Sequence, residues 1–167
     1  MSLLSRLFGD KRDRRDLMPL YHAVVAEARR PEWYNRALVP DTMDGRFDMV
    51  ALVLSLVLLR FEREGEAGAL PSVLLTEVFI DDMDGTMREV GFGDLVVGKR
   101  VGGIMAMLGG RLGAYRDGDR KDAVIRNVYR DAAPQDAAIN ELVAMSSALE
   151  TRIAAVTTAD LMKGSLG

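Results

Sequence analysis

A single all-α domain of about six helices is what this 167-residue sequence predicts. Three observations carry that prediction. Apolar residues recur at spacings of three and four along most of the chain, the period of a helix with one buried face. No stretch alternates with the period of two that a half-buried strand needs. Proline and glycine fall between the periodic stretches, where helices begin and end. The apolar fraction of 49% is too high for disorder, and the length suits one domain with a real core.

The elements follow in order. Residues 1–16 set Leu3, Leu4, Leu7 and Phe8 beside five bases and three acids, a charged amphipathic segment ahead of a domain over residues 17–163. The segment lacks the apolar core and cleavage site of a signal peptide. Pro19 suits a first helical turn, and Leu17, Leu20, Tyr21, Val24 and Ala28 form one stripe, which Pro31 stops. Residues 31–43, with Trp33, Tyr34 and Pro40, make an irregular connection. Thr42 or Asp44 caps a helix to about Arg63, ended by Gly65 and Gly68. Its stretch from Met49 to Leu59 is apolar on nearly every side and belongs at the centre of the bundle. As a helix of about 16 Å it is too short for the ~30 Å of membrane hydrocarbon. Pro71 opens a third helix to about Val90, and Asp94 caps a fourth to about Tyr115. Asp117-Gly118-Asp119 turns into a short fifth helix over residues 120–131. Pro134 begins a sixth, with Ile139, Leu142, Val143, Ser146, Leu149 and Ile153 in phase, and Thr158 caps a last turn before Gly164.

Composition removes most chemistry. With no cysteine there is no disulfide framework, thiolate metal site or cysteine nucleophile. The single histidine, His22, excludes a multi-histidine metal site, and any serine–histidine pair would have to converge on it. The expected role is non-catalytic, with no cofactor and no metal. Glu77, Asp81 and Asp84 share one helix arc but lack the Glu-x-x-His spacing of carboxylate di-metal bundles, and Asp82-Met-Asp84-Gly85 lacks the remaining ligands of a calcium loop. They read as a solvated acidic face. Asp82 instead falls inside the apolar arc of Leu75, Val78, Phe79 and Met83. It is expected to be buried and ion-paired with Arg46, Lys99 or a helix N-terminus, because a lone buried carboxylate is costly.

The net charge of −3 hides an asymmetry. Residues 62–94 hold nine acids and two bases, and residues 99–130 hold eight bases and three acids. Either the two segments pair with each other, or they face different partners. The basic one suits phosphates, of lipid headgroups or ribosomal RNA, while bulk charge argues against a sequence-specific nucleic-acid partner. The fourth helix carries six glycines. Gly98, Gly102, Gly109 and Gly113 form one strip beside Ala106, expected to pack closely against a neighbouring helix of the domain. The sharper alternative is a docking strip for a partner helix. Met83, Met87, Met105 and Met107 add adaptable apolar surface on the two helices concerned.

Particular strings go further. Trp33-Tyr34 followed by Val39-Pro-Asp-Thr-Met-Asp-Gly-Arg-Phe-Asp-Met49, then Leu75-Thr-Glu-Val-Phe-Ile-Asp-Asp-Met-Asp84 with Met87-Arg-Glu-Val-Gly-Phe-Gly-Asp-Leu-Val-Val-Gly-Lys99, and Gly110-Arg-Leu-Gly-Ala-Tyr115, stand in this order. Over roughly residues 17–155 the sequence resembles the ubiquinol–cytochrome c chaperone family. Mitochondrial members are assembly factors for cytochrome b of the respiratory bc complex, acting with a small partner protein at the ribosome. Without a long N-terminal targeting extension, this chain resembles a bacterial member. The resemblance implies a cytoplasmic protein, peripheral at the inner membrane face, with cytochrome b or another membrane-protein client as partner and contacts to the membrane surface and ribosome. The matching signature residues are Asp41, Asp44, Arg46, Glu77, Asp82, Asp84, Glu89, Asp94 and Lys99, framework and surface determinants rather than catalysts. Asp81, on the acidic arc, joins them as a candidate partner contact. The expected mechanism is reversible capture of an apolar client segment along the helices of residues 71–115. The rival reading is a peripheral lipid-, quinone- or haem-binding protein, the last through His22 with a methionine.

Overall fold

The computed structural model describes residues 11–89, 97–130 and 132–167, and within them leaves aside the side chains of residues 11–13, 84, 86–89 and 97–100. Among the described residues the chain is helical, with α1 Lys11–Asp16, α2 Met18–Ala28, α3 Pro31–Asn35, α4 Met43–Arg63, α5 Glu66–Glu89, α6 Val97–Asp117, α7 Arg120–Asn127, α8 Asp136–Ala155 and α9 Thr158–Met162. No strand occurs among them.

The bundle is built around α4. From Asp48 to Leu59 every residue of this helix is buried, and it packs against α2, α5, α6 and α8. Each leucine or valine removed from water there stabilises the fold by about 1.5–3 kcal/mol, so an all-round apolar helix finds its minimum when wrapped on every side. The outer helices contribute one stripe each. Leu17, Leu20, Tyr21, Val24 and Ala28 are buried as their period predicts. So are Ile139, Leu142, Ser146, Leu149 and Ile153 of α8.

The start of α4 shows why its sequence reads as it does. The Thr42 hydroxyl accepts the Gly45 N–H at 3.1 Å, an N-cap that satisfies one of the free donors of the first turn. The Pro40 carbonyl sits so close to the helix that a Cβ on Gly45 would lie 1.9 Å from it. Only glycine admits that approach.

Several boundaries differ from the sequence reading. Pro31 opens the short helix α3 rather than only stopping α2, because its fixed φ suits a first turn. The stop after α4 is Gly65 alone, at φ +61. Gly68 lies inside α5, which begins at Glu66 and passes through Pro71. A Cβ on Gly68 would stand 1.9 Å from the Phe61 carbonyl, so the glycine serves the tight α4–α5 corner, not a helix end. The sixth expected helix starts at Asp136, two residues beyond Pro134, and the fifth ends at Asn127. The cap of α9 is the Thr157 hydroxyl, which accepts the Asp160 N–H, one residue before Thr158. Asp94 and its expected cap lie outside the described residues.

Candidate functional site

Asp48 lies at the bottom of the site. It is fully buried on α4, and two guanidinium groups converge on it. Arg111 of α6 donates from Nη2 to Oδ1 at 2.7 Å, and Arg130, beyond α7, donates from Nε to Oδ2 at 2.8 Å. Arg111 also donates to the Asn127 carbonyl at 2.8 Å, and Arg130 to Asp44 at 2.9 Å. Arg130 holds a left-handed φ of +52, a strained conformation for a side-chain-bearing residue that these bonds sustain. The Arg111 guanidinium lies 5.9 Å from the centre of the Phe47 ring, which packs on Phe79 at 6.1 Å. One buried carboxylate thus fixes the positions of Phe47 and Arg130.

Those two residues belong to a groove of about 740 Å³ between the α2 C-terminus, the start of α4 and α5. Val25, Phe47, Val50 and Met83 supply its apolar surface. Asp41, Asp44, Arg46 and Asp82, four of the signature residues of the family resemblance, stand around it. Arg46 donates to Asp41 at 2.7 Å and holds its carboxyl below the usual carboxylate range. Met43, 72% exposed, overhangs the rim.

Asp82 is exposed rather than buried, so the burial expected of it does not hold. It accepts the hydroxyl of buried Tyr21 at 2.6 Å. Burial first, and then this bond, push the Tyr21 phenol well up, so it keeps its proton and acts as donor. Arg46, one expected partner, is engaged by Asp41. Glu77 and Asp81 face the other way, with α1. Arg14 lies 3.6 Å from Glu77 and 2.8 Å from Asp81. Burial raises the Glu77 carboxyl, and Arg14 pulls it back down.

A second open groove, of about 790 Å³, adjoins the first along α2 and includes His22, Met18 and Asp81. The two share Val25, Arg29 and Asp82. Both are open to solvent, whereas a lipid or quinone site calls for an enclosed apolar cavity. Among the described residues no helix is long and apolar enough to cross a membrane.

The glycine strip of α6 departs from expectation. A Cβ at Gly102, Gly109 or Gly113 would meet nothing within 4 Å, so this face does not pack against a neighbouring helix of the described chain. The inner face of α6 packs through Ile104, Leu108, Arg111 and Tyr115 instead. Gly98 and the side chains of Asp84, Glu89 and Lys99 lie outside the described residues, as does all of Asp94. The acidic and basic segments meet through Arg116–Glu62 at 2.6 Å among the described residues. Elsewhere Arg120 and Arg63 share Glu150 of α8, and Arg60 pairs with Glu64. Asp48, Arg111 and Arg130 were not singled out by sequence reasoning. A lone carboxylate beside an all-round apolar run was the available signal for Asp48.

Fold and site define a helical binding protein, with an open apolar groove under a charged rim. A comparison with family models identifies which one. The model described as Ubiquinol-cytochrome C chaperone matches residues 35–166, and the chain belongs to that family. Among solved structures it is similar to one described as the crystal structure of the Cbp3 homolog from Brucella abortus. Identity is 29%, the TM-score is 0.77, and the match covers 93% of this chain and 89% of that one. A comparison with curated proteins finds no match.

Proposed function

We propose that this chain is a non-catalytic assembly chaperone that holds newly made cytochrome b, at the inner face of the membrane, while the bc complex is built. The observation that carries the reading is the groove between α2, α4 and α5. Four signature residues, Asp41, Asp44, Arg46 and Asp82, surround an apolar floor there. Family membership supports the chaperone role itself. An apolar client segment shielded on Val25, Phe47, Val50 and Met83 would be held by burial and oriented by the charged rim. Capture along residues 71–115, expected from sequence, reduces here to the α5 part of the groove at Asp82 and Met83. A ribosome contact and a small partner protein belong to the same reading as further partners.

The test is made in the native host. Crosslinking and affinity recovery from native membranes should return cytochrome b, and deletion should lower cytochrome b and assembled bc complex. Unchanged levels of both after deletion overturn the proposal.

A further inference from the structure

Arg29 stands at the junction of the two grooves and lines both. It is exposed, and among the described residues no carboxylate lies within ion-pair distance of it. Arg15, exposed on the rim of the second groove, likewise has no ion pair among the described residues, while the other rim arginines are neutralised. Arg14 is held by Asp81, Arg46 by Asp41 and Arg130 by Asp44 and Asp48. The site therefore combines two apolar troughs with an arginine that, among the described residues, has no ion pair at the place where they meet.

We infer that Arg29 is a specificity-determining residue, and that the joined grooves select an apolar polypeptide segment carrying a carboxylate. This rests on the reading of the groove as the client site and names the chemistry of the segment it takes. A polypeptide fits better than an anionic lipid. The rims present both signs, Asp41, Asp44, Asp81 and Asp82 as well as the arginines, so a uniformly anionic headgroup layer would meet repulsion along most of the groove. A single acidic residue flanking an apolar stretch would reach Arg29 at the junction, while its apolar side chains cover Val25, Phe47 and Met83. The guanidinium fork suits a bidentate carboxylate.

The test uses the full chain and three synthetic helical peptides of identical apolar sequence, with glutamate, glutamine or lysine at one flanking position. Binding is measured by fluorescence anisotropy at low salt. The glutamate peptide should bind about tenfold more tightly than the glutamine peptide, and the lysine peptide more weakly than either. Arg29→Gln should abolish the preference, and Arg29→Glu should reverse it, with the helical circular dichroism signal unchanged in both. Equal binding of the three peptides, or a preference that survives Arg29→Gln, overturns the inference. So does Arg29-dependent binding to phosphatidylglycerol vesicles without any peptide preference. The client assignment fails separately: charge-selective peptide binding with no recovery of cytochrome b from membranes removes the client and leaves the selectivity of the groove standing.

Discussion

Asp48 shows how much can hang on one side chain. Its carboxylate is buried, and it satisfies guanidinium groups from two other parts of the chain. Asp48→Ala leaves Arg111, itself almost fully buried, without its counter-charge. Removing one partner of a buried pair costs about 3–5 kcal/mol, a large part of a domain's stability. The urea midpoint of Asp48→Ala should fall accordingly, and Asp48→Leu combined with Arg111→Met should recover much of the loss, since an apolar pair leaves no buried charge. A midpoint in the single variant equal to the wild type would show that the network contributes nothing. At this scale the sequence was legible in part. The apolar stripes and the Thr42 cap follow from local periodicity and hydrogen bonding, and both were readable. The convergence of Arg111 and Arg130 on Asp48 depends on which helices pack beside one another, which no local pattern encodes.

The helices α5 and α6 use glycine in opposite ways. Gly68 sits where a Cβ would strike the Phe61 carbonyl, and Gly109 sits where a Cβ would meet nothing within 4 Å. Gly68→Ala should therefore destabilise the protein by forcing the α4–α5 corner apart. Gly109→Ala should stabilise it by up to about 1 kcal/mol, the difference in helix propensity. Thermal denaturation of the two variants checks both signs, and a destabilising Gly109→Ala would show a contact on the outer face of α6. The glycine count alone did not separate these cases. One glycine permits a close approach across a turn, whereas the others lower the propensity of a helix without a packing reason inside the described chain. The start of α5 was misread for the same cause. Pro71 suggested a helix start, yet α5 already runs from Glu66 through it, because packing against α4 outweighs the lost hydrogen bond.

At the level of the whole molecule, all four tyrosines are held neutral. Burial is the leading cause for each of Tyr21, Tyr34, Tyr115 and Tyr129, and it pushes Tyr115 and Tyr129 up to about 12 from an ordinary 10.0. A phenol whose folded value is raised leaves stability intact below the unfolded value and withdraws it as pH climbs through the folded one. Stability should thus be steady up to about pH 10 and decline between 10 and 12. Tyrosinate absorbance and far-ultraviolet circular dichroism, followed together, should change in one coincident transition. A tyrosine that ionises near pH 10 with the helical signal intact would contradict this. Fold class and central helix were legible from sequence because a helix apolar on every side has few places to go. The groove was not, since its walls join residues as distant in sequence as Val25, Phe47, Met83 and Arg130.

The bare outer face of α6 also has a consequence in time. Among the described residues this helix is anchored by one side, through Ile104, Leu108, Arg111 and Tyr115, whereas α4 is enclosed all round. Amide hydrogen exchange should follow that difference: α6 opens in local excursions of low free energy, while α4 exchanges only when the entire domain unfolds. The molecule would then carry a rigid axle and one loosely held stave, with the slowest and fastest protected amides lying side by side across a single helix contact.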